Sequence, residues 1–140
     1  MTQLLQLADE LGSLALFADL TRPQLDAAAH SFEEVWFGEG ERILREGLTG
    51  SGFYVILDGE VAVRTGGRDA AILGRGDFFG EVSALLGESP SADVVALHSM
   101  RCLHLAAPAL RDFLLAHPAV MYRMLIDQTR RLRTTTRARG

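Results

Sequence analysis

A mainly β domain with helices at both ends is the fold class this sequence predicts, and three observations predict it. Residues 31–105 break into short runs rich in valine, isoleucine and aromatic side chains, each closed by a glycine-bearing turn. Before that stretch, and again after it, apolar residues recur at three-to-four spacing. The chain has 140 residues, a length suited to one domain with one substantial core.

The elements follow in order. Leu4, Leu7, Leu11 and Leu14 predict an amphipathic helix over 4–17. Thr21 with Pro23 in the following turn predicts the start of a second helix that runs through Ala29. Strand-like runs then occupy 33–37, 42–45, 53–57, 60–64, 70–73, 93–97 and 101–105, and their regular spacing indicates an antiparallel sandwich or roll. Trp36, Phe37, Phe53 and Tyr54 are expected among its core aromatics. Helical periodicity returns with Leu110, Phe113 and Leu114, and Pro118 separates that helix from a second one. The last helix carries Val120, Met121, Met124, Leu125 and Gln128 and runs toward Leu132, after which Thr134, Thr135 and Thr136 lower helix propensity. The expected layout is a single domain over 1–140: N-terminal helices at 1–30, the roll at 31–105, C-terminal helices at 106–133 and a basic tail at 134–140. With eight residues after Leu132, an appended DNA-binding helix-turn-helix is not expected.

Composition narrows the function classes. With 48% apolar residues the chain is globular, yet no run reaches the length of a membrane span. The N-terminus has no basic cluster before its leucines, so a signal peptide is not expected. Cys102 is the single cysteine; a disulfide framework is therefore ruled out, and a reducing, cytoplasmic setting is expected. His30, His98, His104 and His117 are scattered, and the pair Cys102 and His104 on one strand face makes an incomplete metal site, so no metal is expected. Ser83 and Ser91 lack a histidine at any motif spacing, so an enzyme is not expected. Net charge is −4, but six arginines fall between Arg123 and Arg139 against Asp127 alone. That tail either complements the helix dipole as a solvated end or touches nucleic acid, anionic lipid or an acidic surface. A nucleic-acid role has no other support.

The passage Gly74-Arg75-Gly76-Asp77-Phe78-Phe79-Gly80-Glu81-Val82-Ser83-Ala84-Leu85-Leu86-Gly87 carries the chemistry. Gly80 stands where sheet gives way to a short helix, a turn that can aim successive backbone N–H groups at an anion. Glu81 follows at once. A carboxylate there is either satisfied by first-turn amides or accepts two hydrogen bonds from a diol such as a ribose edge. The Phe78-Phe79 pair is expected to plug the roll beneath Gly80.

At this point the chain resembles the cyclic-nucleotide-binding domain family over nearly its whole length. The resemblance is carried by Leu16-Phe17-Ala18-Asp19-Leu20, Gly40-Glu41-Arg42-Ile43-Leu44, the hairpin from Phe53 to Val63, and Phe79-Gly80-Glu81-Val82-Ser83-Ala84-Leu85. It implies an eight-stranded antiparallel, jelly-roll-like β roll with flanking helices, a cAMP or cGMP ligand, no other cofactor, and output through the C-terminal helix to a partner. It also implies roles for individual residues. Gly80 would offer its amide, Glu81 would hold the ribose 2′-hydroxyl, and Ser91 with Ala92 would meet the phosphate. Val82, Leu85, Val61 and Val63 would form an apolar wall, while Met121, Met124, Leu125 and Gln128 would supply base contacts.

One position departs from the family pattern. Where the family has an arginine before its Ser/Thr-Ala pair, this chain has Pro90, in Glu88-Ser89-Pro90-Ser91-Ala92-Asp93. Proline has neither the charge nor the planar fork that suits a phosphate, and Glu88 and Asp93 add local negative charge. A charge-assisted bond is worth roughly 1.5–3 kcal/mol, so weakened cyclic-nucleotide binding is expected. Arg75, beside the glycine bend, is the first candidate to replace the lost cation; Arg64, Arg68 and Arg101 are others. The alternative is an altered-ligand or ligand-independent interaction domain, with homodimerisation through the last helix.

Overall fold

The computed structural model describes residues 2–48 and 52–139. They form two compact units, one from the two ends of the chain (1–30 and 112–140) and one from residues 31–111. No helix among the described residues is long and apolar enough to cross a membrane.

The second unit is a roll of two four-stranded antiparallel sheets. Its strands are β1 (Glu33–Phe37), β2 (Arg42–Leu44), β3 (Gly52–Asp58), β4 (Val61–Thr65), β5 (Arg68–Leu73), β6 (Phe78–Phe79), β7 (Asp93–Ala96) and β8 (Met100–Ala106). One sheet runs in the order β1-β8-β3-β6, the other β2-β7-β4-β5. The expected eight-stranded β roll is therefore present. The strand absent from the periodicity reading is β6: its two residues are too few for a period-two signal, and only pairing with β3 (Tyr54 with Phe79, Val55 with Phe78) defines it.

Alternation along the strands builds the core. Leu44, Ile56, Val61, Phe79, Val94, Ala96, Met100 and Cys102 pack together, with Val35, Phe37 and Tyr54 against them. Tyr54 stacks on Phe79 at 4.9 Å between ring centroids. Burial pushes the Cys102 thiol up to about 12, which leaves it protonated and unreactive at neutral pH. Trp36 departs from its expected place in the core, being 65% exposed. The cause is the pleat of an edge strand: Val35 and Phe37 turn to the core, so Trp36 faces outward opposite Arg101. There it borders a surface groove of about 520 Å³ shared with Asp58, Ser99 and Arg101.

The first unit is helical. The expected helix over 4–17 is two pieces, α1 (Thr2–Gly12) and a 3₁₀ turn at Ala15–Phe17. Ser13 ends α1 by donating both its amide and its hydroxyl to the Glu10 carbonyl. Next comes α2 (Arg22–Ser31), where Thr21 and Gln24 cap one another: the Gln24 amide donates to Thr21 Oγ1, and the Thr21 amide to Gln24 Oε1. After the roll, α4 (Ala107–Ala116) leads to α5 (Pro118–Arg139), while α3 (Glu81–Leu86) falls within the roll sequence between β6 and β7. The last helix continues through the threonines instead of ending near Leu132. Thr129 and Thr134 bond back to the Leu125 and Arg130 carbonyls, which keeps their hydroxyls inside the helical pattern. The side chains of Thr135, Thr136, Arg137 and Arg139 lie outside the described set. Arg123 closes a two-bond fork on Asp19, at 2.7 and 3.0 Å, and the guanidinium holds that carboxyl below its ordinary value.

Candidate functional site

The site begins where β6 ends. Gly80 takes φ 87° and ψ −2°, a left-handed conformation that glycine alone adopts cheaply. Space imposes the same choice, because a Cβ at Gly80 would land on the Gly52 carbonyl oxygen of β3. Such close packing lets the backbone turn directly into α3 (Glu81–Leu86). The Gly80 carbonyl accepts from the Ala84 amide at 3.2 Å and the Ser83 hydroxyl at 3.4 Å, and a second left-handed glycine, Gly87, ends the helix.

Glu81 opens α3 and is only 6% exposed, with Ser83 buried beside it in the sequence. Val82, Leu85 and Leu86 are exposed on the same short helix, Leu85 one turn on from Glu81. A carboxylate buried at a helix start beside exposed apolar side chains suits recognition of a ligand with both polar and apolar edges.

The second part of the site is the segment before β7. Pro90 is buried, Ser91 exposed and Ala92 half-buried. Two hydrogen bonds tie this segment to the turn after β2: Gly47 donates its amide to the Pro90 carbonyl at 2.9 Å, and Glu46 donates its amide to Asp93 Oδ1 at 2.7 Å. Asp93 therefore has its charge met by a backbone N–H, which removes part of the repulsion its position suggests. The two parts meet around β2. Leu44 pairs with Val94 on one side, and its Cδ1 would lie 3.5 Å from a Cβ at Gly80 on the other.

The remaining predicted residues fall into three groups. Val61 is in the roll core, and Val63, half-buried, pairs with Val94 next to the Ser91-Ala92 segment. Arg75 sits in the β5–β6 loop, where its Nη1 donates to the Leu57 carbonyl at 2.7 Å. Gln128, with Met121, Met124 and Leu125, belongs to α5 in the helical unit. Among the other candidate cations, Arg64 pairs with Asp69 at 2.7 Å, while Arg101 bridges Glu34 at 2.6 Å and Asp58 at 3.0 Å. Two participants carry weak signals in the sequence. Gly52 is the partner that demands glycine at position 80, and the turn Arg45-Glu46-Gly47-Leu48 is the clamp on residues 90–93.

Over residues 34–117, more than half of its length, the chain matches the family defined as the cyclic nucleotide-binding domain. The chain belongs to that family. The cyclic nucleotide-binding domain is also 40% identical over 81 residues to the cGMP-dependent protein kinase of Eimeria tenella, which covers 58% of this chain but 8% of that kinase. It spans no more than about a seventh of the cGMP-dependent kinases it matches. Among solved structures, the Thermus thermophilus catabolite activator protein is 31% identical with a TM-score of 0.76, over 86% of this chain and 59% of that one. The N-terminal domain of a transcriptional regulator from Streptomyces coelicolor A3(2) is 32% identical with a TM-score of 0.66, over 93% and 94%. A cyclic nucleotide is consistent with that family as a ligand.

Proposed function

We infer that this chain is a single cytoplasmic ligand-sensing domain, regulatory and not catalytic, whose ligand is a cyclic nucleotide held less tightly than in a site with the family's arginine. The observation that carries the reading is the Gly80-Glu81 turn. Its backbone is held in a shape that only glycine permits, and it presents a buried carboxylate at the start of α3. In this reading the Gly80 amide and the Ser91-Ala92 segment receive the phosphate, and Glu81 receives the ribose hydroxyl. Val61, Val63, Val82 and Leu85 line the apolar side. Binding that favours one arrangement of α5 over another then alters a partner, since equal affinity for both would shift nothing. The chemistry of the side chains supports a non-catalytic role: Ser83 Oγ is turned to the Gly80 carbonyl, and the Cys102 thiol is buried and protonated.

A second reading, a ligand-independent interaction domain, draws on Pro90 and on α5. Pro90 is buried and its carbonyl is tied to Gly47, while α5 exposes Met121, Leu125 and Leu132, an apolar series suited to a second copy or another helix. Calorimetric titration with cAMP and cGMP at low and physiological salt decides between them. Saturable binding weaker than about 10 µM is expected, a tighter constant would overturn the role given to Pro90, and no binding at millimolar nucleotide would favour the second reading.

A further inference from the structure

We propose that Arg45, on the turn between β2 and β3, supplies the cation that a phosphate-bearing ligand meets in this domain, taking over from position 90. The inference rests on the ligand-sensing reading above, because it names the residue that gives that same site its preference for an anion.

The arginines of the roll have different employments: Arg42 is exposed on β2, where it pairs with Val95, and Arg111 is exposed on α4. Arg64 is held by Asp69, Arg101 by Glu34 and Asp58, and Arg75 by the Leu57 carbonyl. Arg68 stands at the tip of the β4–β5 hairpin opposite Thr65. Arg45 is exposed, and no acid or carbonyl among the described residues pairs with its guanidinium.

Its position is set by backbone bonds. The two amides that follow Arg45, those of Glu46 and Gly47, grip Asp93 and Pro90, the residues on either side of Ser91 and Ala92. Consecutive Cα atoms are about 3.8 Å apart, so the Arg45 backbone is one peptide unit from that grip, and its long side chain is able to cover the two residues between. The grip also engages one competing acid: Asp93 Oδ1 already accepts the Glu46 amide, so that carboxylate is partly satisfied without Arg45. A guanidinium so placed reaches a phosphate from the solvent side with a two-pronged donor set. Because the group is exposed, its attraction is screened by salt and weaker than that of a buried arginine, in keeping with a low-affinity site.

The test compares cAMP with adenosine, which shares base and ribose but lacks the phosphate, by calorimetry at low salt. Wild-type protein is expected to prefer cAMP by at least tenfold. Arg45→Gln should abolish most of that preference, Arg45→Lys should keep part of it, and Arg68→Gln should leave it intact. In a Pro90→Arg background, which brings its own fork, Arg45→Gln should cost much less. Thermal melts of each variant confirm folding. A wild type that prefers cAMP and an Arg45→Gln variant with the same preference would overturn the role of Arg45 and leave the sensing reading standing. A wild type that binds neither compound at millimolar concentration would overturn both.

Discussion

The two segments that make up the candidate site are held in place by different means. Residues 78–87 follow from backbone geometry: a two-residue strand, a left-handed glycine pressed on a neighbouring carbonyl, a short helix and a glycine end. Residues 90–93 follow from long-range clamping, in which the β2–β3 turn lends two amides to a proline carbonyl and an aspartate. The first arrangement fixes shape and tolerates little substitution. The second fixes position while leaving side chains free to change, and it is there that Pro90 stands.

Gly80→Ala tests the first arrangement most severely. Its Cβ meets the Gly52 carbonyl and its φ becomes strained, so a loss of about 3 kcal/mol or more in urea unfolding is expected, with failure to fold as the extreme. A well-folded variant of unchanged stability would mean the turn is not held as described. Pro90→Arg tests the second. Cyclic-nucleotide affinity should rise at least tenfold, about 1.4 kcal/mol, and titration showing no gain would place the obstacle elsewhere in the site. Asp93→Ala removes the acceptor of the Glu46 amide and should lower stability by about 1 kcal/mol in the same unfolding assay. Arg75→Gln should be the mildest. With its Nη1 spent on the Leu57 carbonyl, the change in cAMP affinity should stay within about twofold, and a larger loss would return Arg75 to the phosphate.

Much of the roll was legible because alternation and glycine turns are local signals. Thr21 announced its helix for the same reason, and the structure adds the reciprocal Gln24 bond. The less legible features share a dependence on partners distant in sequence. β6 exists only because β3 pairs with it, and Trp36 is exposed because the pleat turns Val35 and Phe37 to the core and Trp36 away from it. The threonines near the end of α5 carry low intrinsic propensity, yet back-bonding by Thr129 and Thr134 is compatible with the helix around them. At the site, Gly80, Glu81, Ser91 and Ala92 could be marked by the order of short motifs. The clamp from Glu46 and Gly47 could not, since its donors and acceptors lie more than forty residues apart and three of the four atoms are ordinary backbone.

Cys102 brings a practical benefit. As the single cysteine, fully buried with its thiol pushed up to about 12, it should stay silent toward maleimides while the protein is folded. A cysteine introduced at an exposed position such as Leu132 would then take a fluorophore selectively, giving α5 an optical reporter with no need to strip the native sulfur first.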